Sequence, residues 1–161
     1  MGVNKHQPHV FVLPEDDANR QLATGFQLGL DSSVLRRMQV LPVAGGWLRV
    51  LERFLADLVV TMERHPSGFA VLLIDFDGDA ERLNTAKNRI PENLAERVFI
   101  LGAWREPEKL KSAGLGSYEA IGAALARDCR DGTGVAWEHE LLRHNSGELA
   151  RLREQVRSIL F

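Results

Sequence analysis

The chain has 161 residues, of which 45% are hydrophobic and 26% charged, so its composition excludes a disordered, collagen-like or coiled-coil protein and its length suits one domain. The 20 Lys and Arg against 22 Asp and Glu give a formal net charge of −2, which excludes a basic field over the whole surface. A single cysteine, Cys129, excludes an internal disulfide framework and a cysteine-rich zinc site.

Short apolar runs and helical patterns alternate along the chain. Strands are predicted at residues 9–13, 38–43, 69–74 and 98–101. Helices are predicted where apolar residues recur at helical spacing, over residues 16–28, 47–64, 80–90, 118–129, 135–143 and 148–159. Residues 1–8 lack an apolar signal core and no later run reaches membrane-spanning length, so we expect a soluble, cytoplasmic protein.

The alternation of strands and helices is typical of an α/β fold. We predict an open parallel four-stranded sheet with helices on both faces, because a parallel strand pair needs a crossover, usually a helix. This core would occupy residues 9–104, followed by a C-terminal helical extension over residues 105–161, within a single domain of residues 1–161. Right-handed crossovers bring the carboxyl ends of all the strands to one edge, where open α/β sheets bind ligands.

Acidic residues follow two of the predicted strands. They are Glu15, Asp16 and Asp17 after the first strand and Asp75, Asp77 and Asp79 after the third. In an extended chain the side chains of Asp75 and Asp77 lie on one side, about 7 Å apart. Converging carboxylates repel each other, by about 1 kcal/mol per pair at 4 Å even in water, and Mg²⁺ relieves this because it prefers carboxylate oxygens. A helix cap at 15–17 and a turn at 75–79 are the alternative interpretations.

At these residues the chain resembles the Toprim domain, which topoisomerases, bacterial primases and nucleases of the overcoming-lysogenization-defect type share. The family has a glutamate after its first strand, matched by Glu15, and an Asp-x-Asp pair after its third, matched by Asp75 and Asp77. The stretch Val40–Gly46 also resembles the second strand and glycine turn of the nuclease branch. The resemblance covers residues 9–104.

The resemblance implies metal-dependent hydrolysis of phosphodiester bonds in DNA or RNA. It implies that Asp75 and Asp77 bind Mg²⁺ or Mn²⁺, with Asp79 as an auxiliary ligand and Asp16 as a weaker one. Glu15 would act as general acid/base or as a further metal ligand. Nucleic acid would be the partner, with no role for a membrane.

Two departures from the family narrow this activity. Asp16 stands where the family usually has Gly, and no tyrosine nucleophile is identifiable because Tyr118 lies outside the resembling region. Hydrolysis therefore remains, or a non-catalytic Toprim-like binding subunit of a larger nucleic-acid-processing complex. The last predicted helix fits the second role, since its apolar face could dock a protein partner.

Two further families place an aspartate after an apolar strand. A receiver domain would use Asp75 as phosphoacceptor, but its Ser or Thr after the fourth strand is replaced by Gly102-Ala103. A haloacid-dehalogenase-like phosphatase would use Asp75-x-Asp77-Gly, but Asp79 stands where that family has Thr or Val. Both remain alternatives to the Toprim interpretation.

Basic and aromatic residues near the predicted site could bind phosphates or line a cleft. Two basic sets follow the acidic motif and the fourth strand, namely Arg82, Lys87 and Arg89, and Arg105, Lys109 and Lys111. Trp104 follows the fourth strand and could line the site. His139 and His144 are five residues apart, so they diverge by about 140° around a helix and do not form a zinc motif.

Overall fold

A computed structural model describes residues 2–161. Four strands form a single parallel sheet in the order β2-β1-β3-β4, with bounds β1 His9–Pro14, β2 Met38–Val40, β3 Gly68–Leu73 and β4 Val98–Leu101. Val12, in the central strand β1, lies opposite Val40 on one side and Val71 on the other. The predicted α/β fold with a four-stranded parallel sheet is therefore confirmed. None of the helices in residues 2–161 combines the length and apolar composition needed to cross a bilayer.

Helices cover both faces of the sheet. They are α1 Asp17–Leu28, α2 Trp47–Arg53, α3 Val59–Arg64, α4 Glu81–Arg89, α5 Glu108–Ser112, α6 Tyr118–Asp131 and α7 Ser146–Leu160, and a π-helical turn, Phe54–Leu58, joins α2 to α3. Alternate side chains of each strand face opposite sides. Val10 and Val12 pack with α1, α6 and α7, whereas Phe11 and Leu13 pack with α2, α3 and α4. Two apolar cores result, one on each face.

The second strand is shorter than predicted. It ends at Val40, although the chain stays beside β1, with the Leu41 N–H donating to the Val12 carbonyl at 2.8 Å. Pro42 interrupts the ladder because it has no N–H to donate. The Ala44 N–H then donates to the Pro14 carbonyl at 2.9 Å, which leads the chain to the carboxyl edge of the sheet.

The predicted helix over residues 135–143 is wrong. This segment forms successive turns, followed by a 3-10 turn at Arg143–Asn145. The buried Asp128 carboxylate explains the difference, because it accepts hydrogen bonds from the Thr133 hydroxyl at 2.7 Å and the Ala136 N–H at 2.6 Å. A side chain that holds the backbone in a turn competes with helix formation.

The free edge of β4 is covered by side chains that precede and begin α7. The Glu148 carboxylate accepts a hydrogen bond from the Ile100 N–H at 2.9 Å. The Asn145 amide accepts from the Gly102 N–H at 3.1 Å and donates to the Gly102 carbonyl at 2.9 Å. These bonds replace those of a further strand, which removes the unpaired groups that make sheet edges prone to association.

Helices α1 and α6 cross in close backbone contact at two glycines. A Cβ added at Gly25 would lie 2.2 Å from the Glu119 carbonyl oxygen, and one added at Gly122 would lie 2.1 Å from the Leu22 carbonyl oxygen. Both distances are far below van der Waals contact, and both neighbours are backbone atoms. Any larger residue at either position would therefore separate the two helices.

We expect Gly122→Ala to lower the free energy of unfolding by about 2–3 kcal/mol, because overpacking this crossing outweighs the helix propensity gained. Urea unfolding measures the change. Gly147→Ala is the matched control in α7, where an added Cβ has no neighbour within 4 Å, and it should be neutral or slightly stabilising. Equal effects of the two substitutions would contradict the close crossing.

Candidate functional site

The carboxyl groups of Glu15 and Asp75 come together at the carboxyl edge of the sheet. Glu15 directly follows β1, and its N–H donates to the Leu73 carbonyl at 2.9 Å, which continues the pairing with β3. Its Oε2 accepts a hydrogen bond from the Asp75 N–H at 2.6 Å. Because β1 and β3 are adjacent and parallel, two acids 60 positions apart in sequence meet at one point. The sequence predicted this convergence from the strand order alone.

Asn19 and Arg82 complete the immediate surroundings of Asp75. The Asn19 amide donates to Asp75 Oδ1 at 3.2 Å, and Arg82 Nη1 donates to the Asp75 carbonyl at 2.6 Å. Asn19 is fully buried in α1, where Asp16 caps the helix by accepting the Asn19 N–H at 2.9 Å. The Arg82 Nε is also buried, and no group in residues 2–161 accepts its proton. One arginine donor thus remains free beside the acidic pair.

Burial and mutual repulsion shift the protonation of this pair. Desolvation, followed by the charges of Glu15 and Asp16, raises the pKa of Asp75 from 3.8 to about 7. Desolvation also raises the pKa of Glu15, against the hydrogen bond from the Asp75 N–H. One carboxyl of the pair therefore carries a proton for part of the time near neutral pH. A positive ligand would stabilise both carboxylates in their charged forms.

Asp77 lies in the turn that follows Asp75, in an unusual backbone conformation. Its φ of +51° is in the left-handed region, which few residues other than Gly, Asn and Asp adopt. The next residue, Gly78, has φ +70° and donates its N–H to the Trp104 carbonyl at 2.7 Å, which fixes the turn against the segment after β4. The turn leaves the Asp77 side chain exposed. Its carboxylate is therefore not held by the pair at 15 and 75.

Asp79 has a local structural role. Its Oδ1 accepts a hydrogen bond from the Glu81 N–H at 3.0 Å, at the start of α4. Such a bond satisfies one of the free N–H groups of a helix N-terminus. The structure thus joins Glu15 and Asp75, with Asp16 near enough to act on the Asp75 pKa, and gives Asp79 a partner of its own.

Aromatic and basic side chains border the acidic pair. The Arg82 guanidinium lies over the Trp47 ring, 4.7 Å from its centroid. The Arg105 guanidinium lies beside the Asp-x-Asp-Gly turn, 2.9 Å from where a Cβ on Gly78 would be. Trp104 stacks on the buried Phe76 with ring centroids 6.5 Å apart. The edge therefore combines two carboxyls, two arginines and two partly exposed tryptophans.

Other predicted phosphate-binding residues have different partners. Lys87 pairs with Glu148 at 2.6 Å, and Lys111 lies over the Tyr118 ring at 5.0 Å. His144 packs against Phe76 and Trp104, where burial lowers its pKa and keeps the ring neutral. Of the two basic sets, Arg82 and Arg105 are therefore the members that border the acidic pair.

Asn19 is a site residue that the sequence analysis did not single out. The signal was present, because residues 19, 22 and 26 share one face of α1 and the other two are apolar. A polar residue on the inward face of an amphipathic helix needs a buried partner. In this fold that partner is Asp75.

The residues present fit a divalent cation in part. No group of three or more His, Cys, Asp and Glu side chains within residues 2–161 is arranged to hold a metal ion. Mg²⁺, however, is commonly bound by one or two carboxylates together with substrate phosphates and water. The charge repulsion between Glu15 and Asp75, which raises the pKa of Asp75, is the observation that favours such an ion.

Comparison of the chain with protein-family models, with curated proteins and with solved structures found no match. The resemblance to the Toprim domain therefore rests on the spacing of Glu15, Asp75 and Asp77, and it stays a prediction. The site is accordingly interpreted from its own chemistry, which is a carboxyl pair at the ligand-binding edge of a parallel sheet.

Proposed function

We propose that the protein hydrolyses phosphodiester bonds in nucleic acid with the help of a divalent metal ion, as a Toprim-like nuclease would. The observation that carries the proposal is the meeting of the Glu15 and Asp75 carboxyls at the sheet edge, beside the free donor of Arg82. Acids from neighbouring strand ends and a nearby arginine are the groups that phosphoryl transfer to water requires.

Asp75 and Asp77 would hold Mg²⁺ or Mn²⁺, and the substrate phosphate would complete the ligand set. When bound, the ion would neutralise charge on the phosphoryl group. Asp75 would offer Oδ2, because Oδ1 accepts the Asn19 amide and fixes the side chain. The exposed carboxylate of Asp77 would approach from the flexible end of the turn.

Glu15 would serve as general acid/base for the attacking water. Its raised pKa favours proton exchange closer to neutral pH than an ordinary glutamate allows. Arg82 would donate its free Nε–H to a phosphate oxygen, and Arg105, next to the turn, would bind a neighbouring phosphate. The tryptophans at 47 and 104 would stack on unpaired bases, which favours a single-stranded substrate.

Binding without turnover is the second candidate function. It is favoured by the hydrogen bond between Glu15 Oε2 and the Asp75 N–H, which gives this carboxylate a structural role in joining β1 to β3. In that case the acidic edge would hold a metal ion or a basic partner as part of a larger nucleic-acid-processing complex. Metal binding would then persist without any cleavage.

A cleavage assay tests the proposal on single- and double-stranded DNA and RNA, with Mg²⁺, Mn²⁺ or EDTA. We expect metal-dependent cleavage that Asp77→Gly lowers at least 100-fold. This variant keeps its fold because φ of +51° suits glycine, so a loss of activity reports on the carboxylate. Asp79→Ser is the control, since serine retains the helix cap and removes the charge, and its activity should stay within threefold of the original protein.

Absence of cleavage on all four substrates, with metal binding intact by calorimetry, would reject the nuclease and support the binding role. Absence of both cleavage and metal binding would reject the cation site as well. An assay with acetyl phosphate and p-nitrophenyl phosphate separates the remaining families. A stable phosphoprotein lost in Asp75→Asn would indicate a receiver domain, and rapid turnover of p-nitrophenyl phosphate would indicate a phosphatase.

A further inference from the structure

A second site lies inside the opposite core, independent of the acidic edge. A cavity of about 90 Å³ separates the sheet from α1, α6 and α7. Its walls are aliphatic apart from a few residues, and they extend from Asn19 near the carboxyl edge to Phe161 beyond α7. At about 10–15 Å³ for each water-sized group, the cavity has room for roughly six to nine such groups. Interiors of this size are normally filled, so the space suits an apolar ligand.

The cavity opens beside two arginines of α7. Arg153, Arg157 and Phe161 line both the cavity and an adjoining surface depression, which marks the place where the two are continuous. Phe161 packs edge to face on Phe26 with centroids 6.2 Å apart, so two aromatic rings border this opening. A ligand could enter here without disturbing the sheet.

Both arginines have donors to spare. The Arg153 Nε is buried and finds no acceptor within residues 2–161, while its Nη2 donates to the Thr133 carbonyl. Arg157 uses Nη2 on the Arg130 carbonyl at 2.7 Å. Of the other charges around the depression, Arg130 is paired with Asp131 at 2.9 Å, and Glu154 is the one acid that lines it. The opening therefore has a surplus of positive charge.

We propose that this cavity binds an unbranched aliphatic carboxylic acid of about six to nine carbons, with its chain among the aliphatic walls and its carboxylate on Arg153 and Arg157. The chain length follows from the cavity volume, and the head group follows from the two arginines at its mouth. An aliphatic alcohol or ester would fill the same space but would leave the arginines without an anion. A longer chain would exceed the volume.

Calorimetric titration of the full chain with sodium octanoate tests this site. We expect saturable one-to-one binding, at least tenfold weaker for octanol, methyl octanoate and hexadecanoate. Arg157→Gln, an exposed position, should weaken octanoate binding at least tenfold and leave octanol binding unchanged. Arg64→Gln is the matched control, because Arg64 is an exposed arginine in α3 on the other face of the sheet.

Two further measurements keep the test decisive. Octanoate should slow the reaction of Cys129 with a thiol reagent in mild urea, because Cys129 lines the cavity. Ala23→Leu, which would fill part of the same space, should abolish octanoate binding, and Arg157→Gln carries the test if that variant does not fold. No binding at 1 mM octanoate would overturn the proposal. Equal affinity for octanoate and octanol, or an equal loss in Arg64→Gln, would overturn the assignment of the carboxylate.

Discussion

Asp75→Asn is expected to stabilise the protein by about 2 kcal/mol at pH 8 in EDTA, although it removes the proposed activity. The carboxyl at this position has a pKa of about 7 against 3.8 for an ordinary aspartate, because burial and the charge of Glu15 disfavour its ionised form. Folding at high pH must therefore ionise a group in an unfavourable place. Asparagine occupies the same volume without the charge.

The effect has a definite pH dependence. Between pH 4 and pH 7 the folded protein retains a proton at Asp75 that the unfolded chain releases, so stability falls as pH rises through this range. Below about pH 4 both states are protonated, and Asp75→Asn should then match the original protein. Urea unfolding at several pH values measures the difference.

A metal ion should reverse the order of stability. Millimolar Mg²⁺ or Mn²⁺ should raise the melting temperature of the original protein and leave that of Asp75→Asn unchanged, since only the carboxylate gains a partner. Asp57→Asn, an exposed position, is the control and should change stability by less than about 0.5 kcal/mol. A loss of stability in Asp75→Asn at pH 8 would contradict the raised pKa.

Glu148→Ala is expected to lower the free energy of unfolding by about 3 kcal/mol. The Glu148 side chain is only 4% exposed, and it accepts hydrogen bonds from Lys87 at 2.6 Å, Arg151 at 2.8 Å and the Ile100 N–H at 2.9 Å. Alanine would leave the backbone donor of Ile100 buried without an acceptor. Lys87 and Arg151 would lose less, because they are 44% and 36% exposed and can turn to water.

Glu148→Gln separates the charge from the hydrogen bond. Its amide oxygen can still accept the Ile100 N–H, so we expect a loss of about 1–2 kcal/mol. Glu154→Gln, an exposed position on the same helix, should be nearly neutral and serves as the control. A loss in Glu148→Ala no larger than that in Glu154→Gln would contradict the role of this carboxylate at the sheet edge.

The two acids should give opposite limbs of the pH profile of stability. Burial alone would raise the pKa of Glu148, but hydrogen bonds from Lys87, Ile100 and Arg151 outweigh it, and the pKa is lowered below 4.5. The stability that Glu148 contributes is therefore lost as pH falls below about 4.5. Because Asp75 acts in the other direction, stability should be greatest between about pH 4.5 and pH 6. Asp75→Asn should flatten the upper limb, and Glu148→Gln the lower.

The parts of the site that follow from strand order could be predicted from the sequence. Buried strands are apolar runs, and adjacent parallel strands end together, so Glu15 and Asp75 were expected to meet. The geometry of Asp77 could not be predicted in this way. Its left-handed backbone depends on the bond from the Gly78 N–H to the Trp104 carbonyl, a contact between distant segments.

Long-range side-chain bonds also explain the other differences from the sequence analysis. The helical spacing in residues 135–143 was misleading because the Asp128 carboxylate accepts the Ala136 N–H and holds that segment in turns. Glu148 resembled an ordinary first-turn acid of an amphipathic helix, whereas it bonds to β4. In both cases one buried carboxylate overrode a local pattern, and local patterns carry no information about its partner.

The bonds from Asn145 and Glu148 to β4 have a consequence for biosynthesis. The last strand ends at Leu101, but the residues that cover its edge emerge roughly 50 positions later, which takes about 2–10 s at ordinary rates of translation. Throughout that interval the nascent sheet has an open edge that can pair with another chain. A ribosome stalled between the codons for residues 101 and 145 should therefore hold a chain that recruits chaperones or associates with its neighbours, whereas a stall after α7 should not.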